Sequence, residues 1–267
     1  MSRKARLLTR LLSLLAVIIP TSVILTPQPA SAGTCYQMSN GYWVCNAIMN
    51  KYFGLGGWNW AYPVTNETGT SDGIGAYNHF NEWVSGRPST ASIYWTEATG
   101  TWKVNGAIRD KWGWMGWERS PLGYPTGDES DPAYTPITQR FQNGMIVFTP
   151  ERGALEVHGA IAHVWIDLGY FWSVGLPQTD ERGTPDGVGR YNHFDNGSIY
   201  WHPSWGAFPI PNPIRDRWAS LGWEQGSLGY PQGFPYQDGD YLITQNFVGG
   251  YITCVNEPGG YCSYYVY

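Results

Sequence analysis

The feature that most constrains the fold of this chain is an internal repeat. Ile108 to Trp112 (IRDKW) returns 106 residues later as Ile214 to Trp218 (IRDRW), and Leu122 to Pro125 (LGYP) returns as Leu228 to Pro231 without a gap. A chain made of copies of one small unit buries its apolar surface by stacking neighbouring units. The repeat therefore predicts a row of small units rather than one large core.

A second pair of segments alternates with the first. Asp72 to Phe80 (DGIGAYNHF) matches Asp186 to Phe194 (DGVGRYNHF), and the first copy has eight extra residues in the region of Trp83 to Thr90. All copies share an Ile four residues before an aromatic residue, then a turn that ends in Pro, then a Phe. The sequence thus predicts four units of about 53 residues, alternating between two types.

Each unit combines a helical spacing with a strand-like one. The Ile-to-aromatic spacing of four places both side chains on one face of a short helix, and the later half alternates apolar and polar residues between Gly-containing turns. We expect a β-rich α+β fold: a tandem repeat of short helices and short antiparallel strands, stacked as an elongated stalk. The expected segments are a cap at 33–46 and repeats at 47–105, 106–158, 159–212 and 213–267.

Aromatic residues that recur in every unit are expected to form the core, because a packing role must be filled in each copy. They are Tyr52, Trp112, Trp165, Trp218, Phe80, Phe141, Phe194 and Phe247.

The N-terminus has the three parts of a secretory signal. A basic start is followed by the apolar run Leu11 to Leu25 and by Ala30-Ser31-Ala32, a small-residue cleavage site. Cleavage after Ala32 would remove four basic residues and change the net charge from −5 to about −9. Such a chain is unsuited to nucleic acid or anionic lipid, and no second apolar stretch predicts membrane insertion. We expect a secreted protein, extracellular or associated with a cell wall.

The four cysteines are expected to form two local disulfides. Cys35 and Cys45 flank a credible three-residue hairpin loop, and the 106-residue offset aligns Cys254 and Cys262 with Phe148 and Glu156 across a turn. Four cysteines allow three connectivities. Free thiols would be unusual in an exported protein, and no C-x-x-C spacing predicts zinc.

The recurring quartets resemble the LGFP repeat of actinobacterial envelope proteins. The frame around Pro177 to Glu181, Gly197 to Trp201 and Gly153 to Ile161 is similar to that repeat's consensus, and the resemblance covers roughly residues 46 to 253. The first unit departs most, with Trp60-Ala61-Tyr62-Pro63 in place of the quartet. The resemblance implies small β-rich units that attach proteins to the peptidoglycan–arabinogalactan polymer of the wall. It implies a binding or adaptor role, since no catalytic domain is appended.

Aromatic and polar residues found in only some units are the candidate ligand-binding residues. A Trp or Tyr face packs on the C–H face of a sugar ring while polar groups read its hydroxyls. The alternatives are packing between units for the Trp residues and a hydrogen-bonded strand network for the Tyr-Asn-His segments. The candidate carbohydrate-binding residues are Tyr77, His79, Trp95, Glu67, Tyr191, His193, Trp201 and Glu181.

The sequence gives little indication of catalysis. It contains no H-E-x-x-H zinc helix, and no cysteine is spare for nucleophilic work if both disulfides form. The neighbouring acids Asp128-Glu129 and Asp180-Glu181 follow Pro turns and are expected to be solvated. We expect neither an enzyme nor a cofactor or metal site. The expected function is lectin-like binding of cell-wall polysaccharide. The alternatives are an interaction or targeting subunit of a larger secreted assembly, with a secreted protein partner, and a cell-wall hydrolase.

Overall fold

A computed structural model describes residues 33–267, apart from 85, 170–173, 240, 256 and 258–259. The expected secretory signal, residues 1–32, lies outside the described residues. Within the described part of the chain, no helix is both long and apolar enough to cross a membrane. The described part of the chain is β-rich and contains four short α-helices, as the sequence predicts.

The chain repeats one order of elements, a helix followed by a small antiparallel sheet. A hairpin precedes the first helix: β1 (Cys35–Gln37) and β2 (Trp43–Cys45). The first helix and sheet are α1 (Asn46–Gly54), β3 (Ala61–Pro63), β4 (Thr68–Gly69), β5 (Ala76–Val84), β6 (Arg87–Thr96) and β7 (Gly100–Asn105). The second set is α2 (Gly106–Met115), β8 (Ile137–Phe141), β9 (Gly144–Thr149) and β10 (Gly153–His158).

The second half of the chain follows the same order. The third set is α3 (Gly159–Asp167), β11 (Arg182–Gly183), β12 (Arg190–Phe194), β13 (Gly197–His202) and β14 (Gly206–Pro211). The fourth set is α4 (Ile214–Ser220), β15 (Tyr236–Gln237), β16 (Leu242–Phe247), β17 (Gly250–Val255) and β18 (Cys262–Val266). The sheets are antiparallel meanders, except that β3 and β4 both pair with β5 in the first sheet.

Every helix lies between two sheets, so the core is divided into layers. In β6, Ile93 faces the core built around α1, whereas Tyr94 faces the core built around α2. In β13, Ile199 and Tyr200 are divided in the same way between the cores around α3 and α4. Successive side chains of a strand point to opposite faces, so a strand between two helices is apolar on both. Packing between neighbouring units thus buries the apolar surface that a single unit could not bury alone.

The predicted core aromatics are confirmed. All eight of the recurring residues are buried, from Tyr52 in α1 to Phe247 in β16. The recurring Pro and Phe also meet in space: Pro63 lies opposite Phe80 in the first sheet, and Pro125 pairs with Phe141. The first unit keeps this pairing although it has lost the Leu and Gly of the quartet.

A contact between units explains the alternation of two unit types. The Tyr124 hydroxyl, in the quartet of the second unit, donates 2.7 Å to the Asp72 carboxylate of the first. Tyr230 of the fourth unit contacts Asp186 of the third at 2.8 Å in the same manner. One type therefore supplies the Asp-Gly loop and the other supplies the Tyr that reaches it.

Both predicted disulfides are confirmed. Cys35 lies opposite Cys45 in the register of β1 and β2, and the two sulfurs are bonded. Cys254 and Cys262 join β17 to β18 in the same local manner. One disulfide closes the hairpin before the first helix and the other closes the last sheet.

Candidate functional site

The Tyr-Asn-His segments lie in β5 and β12, with Tyr and His on one face and Asn on the other. Asn78 is buried, and its amide donates to the carbonyls of Trp43 at 3.0 Å and Thr65 at 2.9 Å. Tyr77 stacks on Tyr94 with ring centroids 5.1 Å apart. The Asn is therefore structural, as the strand-network alternative expects.

His79 is half-buried at the junction with α2. Its Nδ1 lies 2.7 Å from the Ser92 hydroxyl and its ring lies 5.6 Å from that of Trp117. Burial, with the Arg109 guanidinium nearby, lowers the pKa of His79 to about 4. Burial and Arg215 likewise lower the pKa of His193 to about 4. Both imidazoles are therefore neutral at physiological pH.

The structure divides the expected binding residues between two faces of each sheet. Tyr77 lies opposite Tyr94 in the register, whereas Trp95 lies opposite Ala76, one residue out of phase. A shift of one residue puts a side chain on the other face of the sheet. The Tyr–His pairs consequently pack towards the following helix, and each Trp packs towards the helix that precedes its sheet. This holds for Tyr191 and Trp201 as well.

A cavity lies at the N-terminal end of α3. This α3 cleft has a volume of about 280 Å³. Trp201 of β13 forms part of its wall, and the charged side chains around it come from three other segments. They are His158 at the end of β10, Glu181 after the Pro177 turn and Arg190 of β12.

A chain of three side chains runs along the α3 cleft. Glu156 Oε2 lies 2.6 Å from His158 Nδ1, and His158 Nε2 lies 3.3 Å from Glu181 Oε1. Glu156 Oε1 accepts a hydrogen bond of 2.9 Å from the backbone N–H of Glu181. Sequence reasoning singled out neither Glu156 nor His158. Their signal is an i, i+2 spacing in β10, which places both side chains on one face.

The expectation that Glu181 is solvated is wrong. Its side chain is only 11% exposed. Burial raises the pKa of Glu181 to about 7, and Glu156 adds to the rise while His158 and Arg190 oppose it. Burial opposes protonation of His158, but its hydrogen bond to Glu156 keeps the pKa of that imidazole above its usual value. The cleft can therefore both donate and accept hydrogen bonds near neutral pH.

A smaller counterpart lies at the N-terminal end of α1. This α1 cleft, of about 70 Å³, brings Glu67 and Trp95 together with Cys45 and Ile48. The N–H of Cys45 donates 3.0 Å to Glu67 Oε2, and burial raises the pKa of that carboxyl. Glu67 and Trp95 thus occupy the positions of Glu181 and Trp201 in another unit.

The second unit has a third version of the same arrangement. Glu129 and Phe148 line a cavity of about 190 Å³ at the N-terminal end of α2. Burial raises the pKa of Glu129 to about 7, although the Asn105 N–H donates to it at 3.3 Å. Glu129 is half-buried, so the expectation that this acid is solvated is also wrong. At the corresponding positions the fourth unit has Pro235 and the disulfide-bonded Cys254.

Metal ligands do not converge in any of these cavities. Among the residues that the structure describes, no three His, Cys, Asp or Glu side chains form a group that could hold a metal ion.

Comparison with known proteins places this architecture in a family. The family model described as LGFP repeat matches residues 61–120, 122–171 and 174–226, which together are more than half of the chain. Each matched segment starts two or three residues before the Pro that ends the turn and runs through the following sheet and the next helix, so the three segments include the layered cores described above. A search of curated proteins finds no match. This chain belongs to the LGFP repeat family.

Proposed function

We propose that this protein is a secreted, non-catalytic binder of bacterial cell-wall polysaccharide of the peptidoglycan–arabinogalactan type. The observation that carries the proposal is the α3 cleft, in which Trp201 shares one cavity with Glu181, His158 and Arg190. An aromatic face beside a few convergent polar groups is the usual composition of a sugar site.

The polar groups of the α3 cleft suit a ligand rich in hydroxyls. Arg190 lies 4.0 Å from Glu181, and its side chain is 58% exposed, so its N–H groups are accessible to a ligand. Glu181 already contacts His158, which holds the carboxyl in place before a ligand arrives. A polar group that is held in position binds at a lower entropic cost.

Repetition strengthens binding to a polymer. The α1 cleft pairs Glu67 with Trp95 as the α3 cleft pairs Glu181 with Trp201. Two weak sites on one molecule gain avidity when a single polymer engages both. A polysaccharide of repeating units is therefore a better ligand for this chain than a free monosaccharide.

The geometry of the α3 cleft supports binding rather than hydrolysis. A glycosidase keeps open space between its two carboxyl groups for the sugar or for water. Here the His158 imidazole contacts both Glu156 and Glu181 and fills the space between them. We therefore propose no catalytic role for this pair.

A second candidate function, protein interaction within a secreted assembly, is favoured by the C-terminal tyrosines. β18 is the edge strand of the last sheet and has a free side for strand pairing. Four tyrosines on or beside it are exposed: Tyr261, Tyr264, Tyr265 and Tyr267. Tyrosine is enriched at protein interfaces.

The deciding experiment is a pull-down of the purified protein on insoluble actinobacterial cell wall, before and after arabinogalactan removal, with an assay for released sugar. We expect binding that depends on the polysaccharide and no sugar release. Trp201→Ala and Arg190→Ala should both weaken binding. Trp114→Ala is the matched control, because that Trp is 82% exposed on α2 and lines none of the clefts described above.

Several results would contradict the proposal. Equal retention on wall with and without arabinogalactan would remove arabinogalactan as the ligand, and release of soluble sugar would indicate a hydrolase. Loss of folding in Trp201→Ala, monitored by near-UV circular dichroism, would assign that Trp to the core. Arg190→Ala then still tests the cleft, because its side chain is largely exposed. Retention of a co-purifying protein in place of wall would favour the second candidate.

A further inference from the structure

The extra residues of the first unit lengthen one hairpin. In the third unit, β12 and β13 pair as far as Phe194 opposite Gly197, where the chain turns. In the first unit, β5 and β6 continue beyond Phe80 through four more pairs, ending with Val84 opposite Arg87. This hairpin extension is present in one of two otherwise matching units, so the shared fold does not require it.

The hairpin extension forms one side of a groove against α2. The groove has a volume of about 530 Å³. Gly106 and Ala107, at the start of α2, give it a flat floor without bulky side chains. We call it the hairpin groove, defined by Asn81, Trp83, Thr90, Ala107 and Asp110.

An exposed indole and an exposed amide lie side by side along the groove. Trp83 is 66% exposed, a large fraction for a residue type that is highly buried on average. Asn81, two residues earlier in β5, is exposed and on the same face of the strand. The hydroxyl-bearing Thr90 is its partner in β6. One aromatic platform is therefore flanked by neutral polar groups.

The opposite side of the groove is a polar wall held by Arg109. Arg109 Nη1 donates 3.2 Å to Asp110 Oδ1 and 3.1 Å to the Thr90 hydroxyl. Its Nε donates 2.6 Å to the Ser92 hydroxyl, and its guanidinium lies 5.0 Å from the centre of the Trp117 ring. The arginine is thus fixed on several sides, and it positions Asp110 at the groove.

We propose that the hairpin groove is a further saccharide subsite, which binds a neutral sugar ring of the same polysaccharide. The ring stacks on Trp83, and its hydroxyls donate to the Asp110 carboxylate and exchange hydrogen bonds with Asn81 and Thr90. This inference rests on the proposed function, because the same polymer supplies the ligand. It adds a site to the α1 and α3 clefts.

Charge argues for a neutral sugar rather than an ionic ligand. The Asp110 carboxylate is paired with Arg109 at 3.2 Å, so the wall offers paired donors and acceptors. The other carboxylate that lines the groove, Glu82, is buried and accepts a hydrogen bond of 2.8 Å from the Trp60 indole. A bare acidic cluster would attract cations, and a bare arginine would attract phosphate or carboxylate groups. A hydroxyl group can both donate and accept, which matches this paired wall.

The third and fourth units contain an internal control. Arg215 and Asp216 repeat the pair at the 106-residue offset and contact each other at 2.9 Å. Their neighbouring hairpin is the short one, so no counterpart of Trp83 stands beside them. Asp110 and Asp216 therefore share a local environment on their helices and differ in whether an indole faces them.

The test is isothermal titration of the purified protein with soluble arabinogalactan, compared across four variants. Trp83→Ala and Asp110→Asn should each weaken binding roughly tenfold, equivalent to about 1.4 kcal/mol. Asp216→Asn should stay within about twofold of the unsubstituted protein, since a twofold change is only about 0.4 kcal/mol. Trp201→Ala reports on the α3 cleft separately.

The two proposals fail in different ways. Weakening by Trp201→Ala without any effect of Trp83→Ala or Asp110→Asn would overturn the hairpin groove alone. Equal weakening by Asp110→Asn and Asp216→Asn would also overturn it, because the effect would then not depend on the indole. No binding by the unsubstituted protein would overturn both. Trp83 is largely exposed, so its removal is expected to leave the unfolding midpoint unchanged, which a thermal melt checks.

Discussion

The indole N–H of Trp112 donates a 3.1 Å hydrogen bond to the backbone carbonyl of Gly123, the glycine of the Leu-Gly-Tyr-Pro quartet. The same bond joins Trp218 to Gly229 at 3.1 Å. Gly123 has a φ of 71°, a backbone conformation that glycine adopts without steric cost. A buried indole N–H needs an acceptor, and the turn made by this glycine supplies one. The turn of the quartet and the helix of the same unit are therefore held together by this hydrogen bond.

Removal of the indole donor should destabilise the second unit. Trp112→Phe keeps an aromatic ring but leaves the Gly123 carbonyl without its partner, and a buried unsatisfied group costs about 1–3 kcal/mol. We expect the free energy of unfolding in urea to fall by about that amount. Trp114→Phe is the control on the same helix, since its indole is 82% exposed. An equal loss in both variants would show that ring size, not the hydrogen bond, is responsible.

Contact between the two unit types should depend on one hydroxyl. The Tyr230 hydroxyl lies 2.8 Å from the Asp186 carboxylate. Burial alone would raise the pKa of Asp186, but hydrogen bonds from Thr184, Val188 and Tyr230 outweigh it and lower that pKa. Tyr230→Phe should therefore cost about 1.5–3 kcal/mol, the range for a hydrogen bond to a charged group.

A double-mutant cycle in urea with Asp186→Asn measures this coupling directly. Strictly additive effects of the two substitutions would mean that the contact contributes nothing. Tyr236→Phe, at an exposed tyrosine in the same unit, controls for loss of a hydroxyl.

The C-terminal disulfide should stabilise the last sheet. Cys254 and Cys262 are 8 residues apart, and a loop of that length corresponds to about 2–3 kcal/mol of reduced entropy in the unfolded chain. The variant with both cysteines changed to Ser should lose about that much stability in urea. Reductant added to this variant should then break the Cys35–Cys45 disulfide alone, and the further loss of stability measures the contribution of that disulfide. An unchanged unfolding midpoint would mean that β18 detaches before the rest of the protein unfolds.

Stability should fall as pH rises through the titration of the α3 cleft. Burial raises the pKa of Glu181 to about 7 from its usual value of 4.5, so the folded protein holds a proton that the unfolded chain has lost. A state that binds the proton more tightly is favoured at low pH, and its advantage is lost between about pH 4.5 and pH 7. Glu181→Gln should remove about 1–3 kcal/mol of this decline.

Urea unfolding at pH 5 and pH 8 measures the decline. The control is Glu151→Gln, which changes an exposed acid in the turn between β9 and β10. His158 also has a raised pKa and contributes a decline of the same sign, so some pH dependence should remain in Glu181→Gln. A decline as steep as that of the unsubstituted protein would show that Glu181 titrates in the usual acid range.

The sequence was sufficient to predict the repeat, the core aromatics and both disulfides. Each depends on local spacing: Ile108 and Trp112 are one helical turn apart, and Cys35 lies opposite Cys45 across a short loop. Alternation along a strand likewise placed Tyr77 and His79 on one face and Asn78 on the other. Residues close together in the sequence determine the helix face, the hairpin pairing and the strand face, so the sequence pattern is enough to predict them.

The composition of the clefts was decided by tertiary structure. Glu156 and Glu181 are 25 residues apart, and only the packing of one unit on the next brings the Glu156 carboxylate to the Glu181 N–H. The register of β12 on β13 separates Tyr191 from Trp201, which the sequence grouped together, because one residue of register sends them to opposite faces of the sheet. Local pattern specifies which residues a unit contains, whereas contacts between units specify which of them share a cavity.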